Sequence, residues 1–313
     1  MPFWSALDRI TQSSSVKVGS HRIILDGRYT VGPQFQYAAL MLCVVLLCEF
    51  SVFESVVSGS IILSLIFLSI SIAEVVLLLK TAMLEPGIVP PGQQSDASTN
   101  APSLATIVNG VNIERKFCYT CNVYRPPRGK HCVMCGCCVD RHDHHCKFLS
   151  NCIGLRNYRS FVFFIFNTWV MALFTLLLLL LTKTQSSAGK WWSLFIVSLV
   201  VLGTTSNLLY HHGRLILAGT TSYEDYKGVI ITDPTVTHEI DNSDDRTLSP
   251  RIHQSPFSLG SWQMNLNAFL LAPTDDSRFS AKTVKRPAGP KPTMAGRALS
   301  EDSGEGIQLR GIA

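Results

Sequence analysis

The chain has 313 residues, 47% of them apolar and only 16% charged, against about 25% charged in an ordinary soluble domain. That balance argues against a purely soluble globular enzyme. Its ten cysteines fall well short of the roughly 8–10% of a disulfide scaffold. A net charge of +5 is too small for nucleic-acid coating, so no nucleic-acid partner is expected.

In chain order, residues 1–33 form an N-terminal segment holding Arg9, Lys17, Arg22 and Arg28, too long and mixed for the leader of a signal peptide. An apolar block then runs from about Gln34 to Phe53, broken by Gln34, Gln36, Glu49 and Ser51, and a second from about Gly59 to Leu79. A bilayer core of about 30 Å needs about 20 mostly apolar residues in a helix, which alone satisfies its own backbone groups there. Residues 34–80 therefore read as two membrane helices. A loop follows at 81–160, with eight of the ten cysteines between Cys118 and Cys152. Phe161 to Leu181 is the cleanest apolar block, and Trp191 to Leu217 opens on two interfacial tryptophans and frays near His211, His212 and Arg214. Residues 161–217 thus hold the third and fourth helices. In the last segment, 218–313, the stretch 232–250 is a polar, acidic linker and 274–313 has a disordered composition. Between them, Pro256 and Phe257 with Trp262, Leu266, Phe269 and Leu270 are apolar enough to pack on the cytoplasmic face.

Orientation follows from the cations near the helix ends. The 53–59 loop has no Lys or Arg and the 182–190 loop only Lys183 and Lys190, whereas 111–160 has nine. By the positive-inside rule that segment and both chain ends are cytoplasmic. In that reducing compartment a dense Cys/His cluster points to metal rather than disulfides. Glu49 and Glu74 sit inside two spans and are expected to face the bundle interior or water without doing chemistry. Cys43 and Cys48 are expected to be small apolar fillers.

The cluster reads Cys118-x2-Cys121, His131-Cys132-x2-Cys135, Cys137, Cys138, Asp143-His144-His145-Cys146 and Cys152. Each C-x2-C knuckle brings two thiolates to one ion at about 2.3 Å, so two knuckles suggest two four-ligand zinc sites. With His131, His142, His144 and His145 the window holds four donors more than eight ligands require. Zinc binding on the order of 10 kcal/mol would let this loop hold a shape without a large apolar core.

The surplus contains the parts of a nucleophile system: a thiol, an imidazole to take its proton and a carboxylate to orient that imidazole. Spacing alone leaves open which histidine is base and which is ligand. Cys146 also lies 15 residues before Phe161, which tethers it to the membrane surface. A substrate with a long acyl chain suits that location, because at about 0.8 kcal/mol per CH2 a sixteen-carbon chain gains roughly 12 kcal/mol by leaving water. Nine cations against Glu114, Asp140 and Asp143 leave residues 111–160 at +6. Such a segment can meet the phosphates of coenzyme A or anionic lipid headgroups.

These residues, with Arg125-Pro126-x-Arg128 after the first knuckle and Asn157-x3-Phe161 after Cys152, resemble the cysteine-rich domain of the DHHC-type protein S-acyltransferases, the palmitoyltransferases. The resemblance implies Cys146 as the acyl-accepting nucleophile, His144 as general base and Asp143 as its orienting carboxylate. It implies one structural Zn2+ on Cys118, Cys121, His131 and Cys138, and a second on Cys132, Cys135, His145 and Cys152. Cys137 and His142 fall outside the motif. Lys116, Arg125, Arg128 and Lys130 are the expected contacts for the phosphates of acyl-CoA.

The chain departs from the family after the nucleophile, where Lys147-Phe148-Leu149-Ser150-Asn151 replaces Pro-Trp-Val-Asn-Asn. Glu85-Pro86-Gly87 stands for Asp-Pro-Gly and Thr221-Ser222-Tyr223-Glu224 for Thr-Thr-x-Glu, both expected to be structural. Pro256-Phe257 with Asn265 resembles the C-terminal motif with its spacing a residue off.

The expected fold is an all-α polytopic membrane protein of four transmembrane helices, with a cytoplasmic two-zinc domain between helices two and three. The expected function is transfer of a fatty acyl group from acyl-CoA to cysteines of membrane-apposed proteins on an endomembrane, Golgi, plasma membrane or other. A non-catalytic zinc adaptor tethered to the membrane, or a four-helix transporter, leaves Asp143, His144 and Cys146 idle.

Overall fold

A computed structural model describes residues 16–25, 27–57, 59–92, 104–181, 187–227, 255–271 and 277–279. The expected linker over 232–250 and most of the tail over 274–313 lie outside these residues.

Among the described residues, four helices are long and apolar enough to cross a membrane. They are α1 (Phe35–Val52), which runs on into a π-turn (Phe53–Val57), α2 (Ile61–Met83), α3 (Tyr158–Leu181) and α4 (Ala188–Ala218). All four expected blocks are thus helical, the last three extended by a few residues. Their outward faces carry bare apolar side chains such as Ile61, Leu65, Leu180 and Val200, an arrangement stable only against hydrocarbon. Ser60 caps α2 by accepting from the Leu63 N–H. Gly219 ends α4 at φ 68, where its N–H reaches back to the last carbonyls; a side chain there would meet the Ser258 backbone.

Within the bundle Glu74 is buried, and its carboxylate accepts from Asn167 Nδ2 at 2.7 Å and Thr168 Oγ1 at 2.5 Å. The Asn167 amide also donates to the Ile70 carbonyl at 3.1 Å. The intramembrane carboxylate thus clamps α2 to α3 through paired polar groups that lipid cannot hydrate.

The described parts of the cysteine-rich region and of the N-terminal segment are built from strands, which corrects the all-α expectation. The cysteine-rich region is built from short antiparallel pairs: β4 (Ile88–Val89), β10 (Cys137–Val139) and β9 (Lys130–Cys132) in one sheet, β11 (His144–Cys146) with β12 (Asn151–Ile153), β5 (Leu104–Val108) with β6 (Val111–Arg115), and β7 (Phe117–Cys118) with β8 (Val123–Tyr124). Ligands at short separations need tight reversals, and hairpins supply them where a helix would spread the donors along its axis. A further three-stranded sheet, β1 (Val16–Val18), β2 (His21–Ile24) and β3 (Tyr29–Val31), occupies the N-terminal segment, to which the sequence reading assigned no structure. It packs on the cysteine layer, where the Ser20 N–H donates to the Cys135 carbonyl at 2.8 Å and Val18 and Ile23 share a core with Cys132, Cys135, Cys137 and Cys152.

Buried polar residues join this layer to the helices. Asn151 donates to the carbonyls of Ala82 at 3.0 Å and Leu84 at 2.9 Å, and Asn157 to those of Cys152 at 2.9 Å and Thr81 at 3.2 Å. Glu85 holds the Gly87 and Ile88 N–H groups on one oxygen and Arg156 and Ser277 on the other. Ser277 and Phe279 lie in the tail expected to be disordered; the Ser277 hydroxyl is buried on Glu85 and Phe279 packs on the cysteine core.

Candidate active site and metal centres

Strand alternation sorts the Cys/His residues. Successive side chains in a strand point to opposite faces, and residues directly opposite across an antiparallel pair lie about 5 Å apart. Cys138 faces His131 across β10 and β9, and His145 faces Cys152 across β11 and β12. Each cross-strand pair belongs to one donor group. The groups are Cys118, Cys121, His131 and Cys138, and Cys132, Cys135, His145 and Cys152, the atoms of each lying within 4.8 Å of one another. These are the two sets that the resemblance implies.

The donor atoms fit zinc. Bonds of about 2.0–2.3 Å in a tetrahedron place neighbouring donors roughly 3.3–3.8 Å apart. His131 Nδ1 lies 3.5, 3.3 and 3.8 Å from the sulfurs of Cys118, Cys121 and Cys138. His145 Nδ1 lies 3.7, 3.2 and 3.6 Å from those of Cys132, Cys135 and Cys152. The six sulfurs are buried and the two imidazoles half-buried, so three thiols and one imidazole converge on each of two points. Cys137 joins neither group; its thiol is packed in the core and pushed up to about 12 by burial and the neighbouring Cys132 charge.

The same alternation turns His144 and Cys146 to the face opposite His145. There Asp143 Oδ2 stands 2.8 Å from His144 Nδ1, and Cys146 is close enough to act on the ring electrostatically. Burial pulls the His144 ring down, but the hydrogen bond and charge of Asp143, together with Cys146, outweigh it and lift it to about 9. Burial likewise pushes the Asp143 carboxyl up, yet the His144 bond, the His144 charge and the Ser222 N–H bring it to about 2. Asp143 therefore stays ionised and holds the ring through Nδ1, leaving the second nitrogen free of the carboxylate.

Cys146 is half-buried against the cluster of Leu78, Ala82, Leu149, Ile153, Phe161 and Ile216, where α2, α3 and α4 meet the cysteine layer. Its polar side is thus the triad and its apolar side the helix ends. The Phe161 and His212 rings lie 5.1 and 6.3 Å from the His144 ring.

The Thr221–Glu224 segment opens a short helix, α5 (Ser222–Lys227). Thr221 and Glu224 cap each other, the Thr221 N–H donating to Glu224 Oε2 at 2.8 Å and the Glu224 N–H to Thr221 Oγ1 at 3.3 Å. The Ser222 N–H donates to Asp143 Oδ1 at 2.7 Å. The segment therefore touches the triad, a role that the sequence, read one residue at a time, did not signal beyond the capping pattern. Asn265, on α6 (Trp262–Leu271), is buried and ties the Leu217 carbonyl and Ser258 Oγ to its amide and the Leu259 N–H to its oxygen, so its offset spacing still closes a clamp.

The four expected phosphate contacts differ in their surroundings. Arg128 is engaged elsewhere, with Nε 2.7 Å from Glu224 Oε1, Nη2 on the Gly219 carbonyl at 3.2 Å and its plane 4.4 Å from the Phe257 ring centre. Lys130 Nζ lies 3.8 Å from the centre of the Tyr223 ring. Arg125 Nε is buried with no hydrogen-bond partner among the described residues, and Lys116 is exposed.

Comparison with known proteins agrees with this arrangement. Residues 111–229 match the family model described as DHHC palmitoyltransferase. The chain is 32% identical over 202 residues to Palmitoyltransferase ERF2 of Kluyveromyces lactis, covering 60% of this chain and 54% of that protein. It is 31% identical over 184 residues to Protein S-acyltransferase 8 of Arabidopsis thaliana, covering 50% and 45%. To Palmitoyltransferase ZDHHC14 of Homo sapiens it is 36% identical over 115 residues, covering 31% and 24%. The chain thus spans about a quarter to about half the length of these relatives.

Proposed function

We propose, from the premise that residues 111–229 are a DHHC palmitoyltransferase domain, that this chain is a protein S-acyltransferase working through an acyl-enzyme on Cys146. One observation carries the reading: Cys146 lies outside both metal groups, shares the His144 ring with Asp143 and rests its other side on the apolar helix ends.

In the first half-reaction the Cys146 sulfur attacks the thioester carbonyl of a fatty acyl-CoA. His144, which already holds the proton given up by the thiol, hands it to the departing CoA sulfur, while Asp143 holds the ring. One thioester replaces another, so no ATP is required. In the second half-reaction a cysteine of a membrane-apposed protein attacks the acyl-enzyme; its proton passes through His144 to the Cys146 sulfur, which leaves as the restored thiol. Placing a thiol, base and acyl chain together at the interface supplies the orientation component of catalysis. The acyl chain, probed best with palmitoyl, packs against the cluster beside Cys146 at the helix ends.

Zinc held by the two groups would supply rigidity. Lys116, Arg125 and Lys130 meet the CoA phosphates, and Arg128 takes part by holding Glu224 beneath the site. The cation distribution supports a cytoplasmic cysteine-rich domain and cytoplasmic chain ends, in an endomembrane such as the Golgi or the plasma membrane.

The test is incorporation of a labelled acyl chain into purified protein from labelled palmitoyl-CoA. Wild-type protein acquires a label released by hydroxylamine; Cys146→Ser keeps two zincs and acquires none. A Cys146→Ser protein that labels like wild type refutes the reading.

A further inference from the structure

A cleft with about 300 Å³ of empty space, part of it open to solvent, lies between the cysteine layer, the end of α4 and the C-terminal segment. Arg128, Arg141 and Asn265 form its polar walls, and Ile216, Phe257 and Phe269 its apolar ones. Two of the polar groups are fully engaged. Arg128 is spent on Glu224 and Gly219, and the Asn265 amide on Leu217, Ser258 and Leu259.

Arg141 is different. Its guanidinium meets no hydrogen-bond acceptor among the described residues, and its one close partner is the Tyr158 ring, 6.0 Å to the centre. A guanidinium carries five donors, and here they are left to the solvent that reaches the cleft, free to be taken by an incoming acceptor. The backbone at Arg141 adopts φ 43, in the left-handed region where a non-glycine residue is strained, and such strain persists only where the surroundings impose it. The nearest carboxylates are already occupied: Asp143 by His144 and the Ser222 N–H, Glu224 by Arg128 and the Thr221 N–H. The cleft therefore presents a fixed cation that the protein does not neutralise.

Its position selects the chemistry of the missing acceptor. Tyr158 begins α3 and Ile216 lies in the last turn of α4, so the cleft stands where two membrane-long helices end on the side of the cysteine layer. At that level a bilayer places its headgroup phosphates. A phosphate matches the guanidinium fork with two parallel hydrogen bonds, and the three apolar walls accommodate the carbon skeleton attached to it.

We propose that Arg141 and this cleft form a phosphate-binding site, separate from the cations assigned to CoA. Arg141 is two residues before Asp143 and the opposite wall is the C-terminal segment, so an occupied site ties that segment to the strand carrying the triad. The proposal assumes the four helices are in a membrane and stands whether or not Cys146 carries acyl groups.

The test uses the full chain in phosphatidylcholine nanodiscs, with the thermal midpoint followed during titration of inorganic phosphate, and in matched nanodiscs containing increasing phosphatidic acid. A saturable rise is expected, weakened about tenfold or more in apparent affinity by Arg141→Gln and unchanged by Lys17→Gln, on the exposed face of β1. A rise with inorganic phosphate in neutral discs identifies a free phosphate; a rise only with phosphatidic acid identifies a lipid headgroup. Zinc content of two per chain checks that the variant is folded. If Arg141→Gln loses zinc, Arg141→Lys replaces it, which keeps the charge but loses the fork and is expected to bind more weakly. No rise with either probe, or a folded variant at position 141 that titrates like wild type, overturns the proposal.

Discussion

The backbone N–H of Ser222 donates to Oδ1 of Asp143 at 2.7 Å, while Oδ2 of the same carboxylate stands 2.8 Å from the His144 ring. The carboxylate proposed to orient the base is itself held by a residue just past the end of α4. Ser222 is the first residue of its short helix, where proline fits without breaking the fold and removes the N–H, along with the hydroxyl's contact to His211 Nε2 at 3.3 Å, which Ser222→Ala removes by itself as a control. Ser222→Pro is therefore expected to lower the rate of acyl-enzyme formation about tenfold to a hundredfold, as for loss of a hydrogen bond to a charged group, with zinc content intact. Single-turnover labelling measures it.

Asp143→Asn keeps the shape of the site but offers the ring a group that does not stabilise its protonated form. Acyl-enzyme formation is expected to fall by about 10³–10⁴, in line with the same change in a serine triad. Zinc analysis and labelling on one sample separate this loss from unfolding.

The two metal groups make separate predictions. Cys118→Ser and Cys135→Ser are each expected to lose one zinc per chain, because each removes a ligand from a different group. Cys137→Ser, from neither group, is expected to keep both while losing some stability through its buried position. Metal analysis of the three proteins decides; loss of zinc from Cys137→Ser would show that the donor sets are drawn wrongly.

Inside the membrane, Glu74→Ala leaves Asn167 and Thr168 without their shared acceptor. A cost of about 1–3 kcal/mol in stability is expected, and Glu74→Gln, which keeps an oxygen at the same place, is expected to recover part of it. Thermal melts in detergent compare the three proteins. Equal midpoints would mean that the clamp carries no stability.

The membrane helices and zinc ligands were legible in the sequence for physical reasons. Hydrocarbon demands about 20 apolar residues without regard to what surrounds them, and zinc demands four Cys or His donors brought round by short turns. Both demands are satisfied within short stretches of chain, so they leave a mark in local composition and spacing. Cys118 through Cys152 and the four apolar blocks carry that mark, and the donor groups match.

The strands were missed because they are only two to five residues long, too short to leave a clear alternation, and because β9–β10 and β11–β12 are dominated by the Cys and His they carry. Arg128 reads as one cation among nine until Glu224, 96 residues away, takes it. Ser222 offers only a backbone N–H, which every residue but proline has. Ser277 and Phe279 sit in polar surroundings that resemble a free tail until Glu85 and the cysteine core receive them. Such pairings join common groups over long separations, and only the packed chain selects which of many equivalent partners meet.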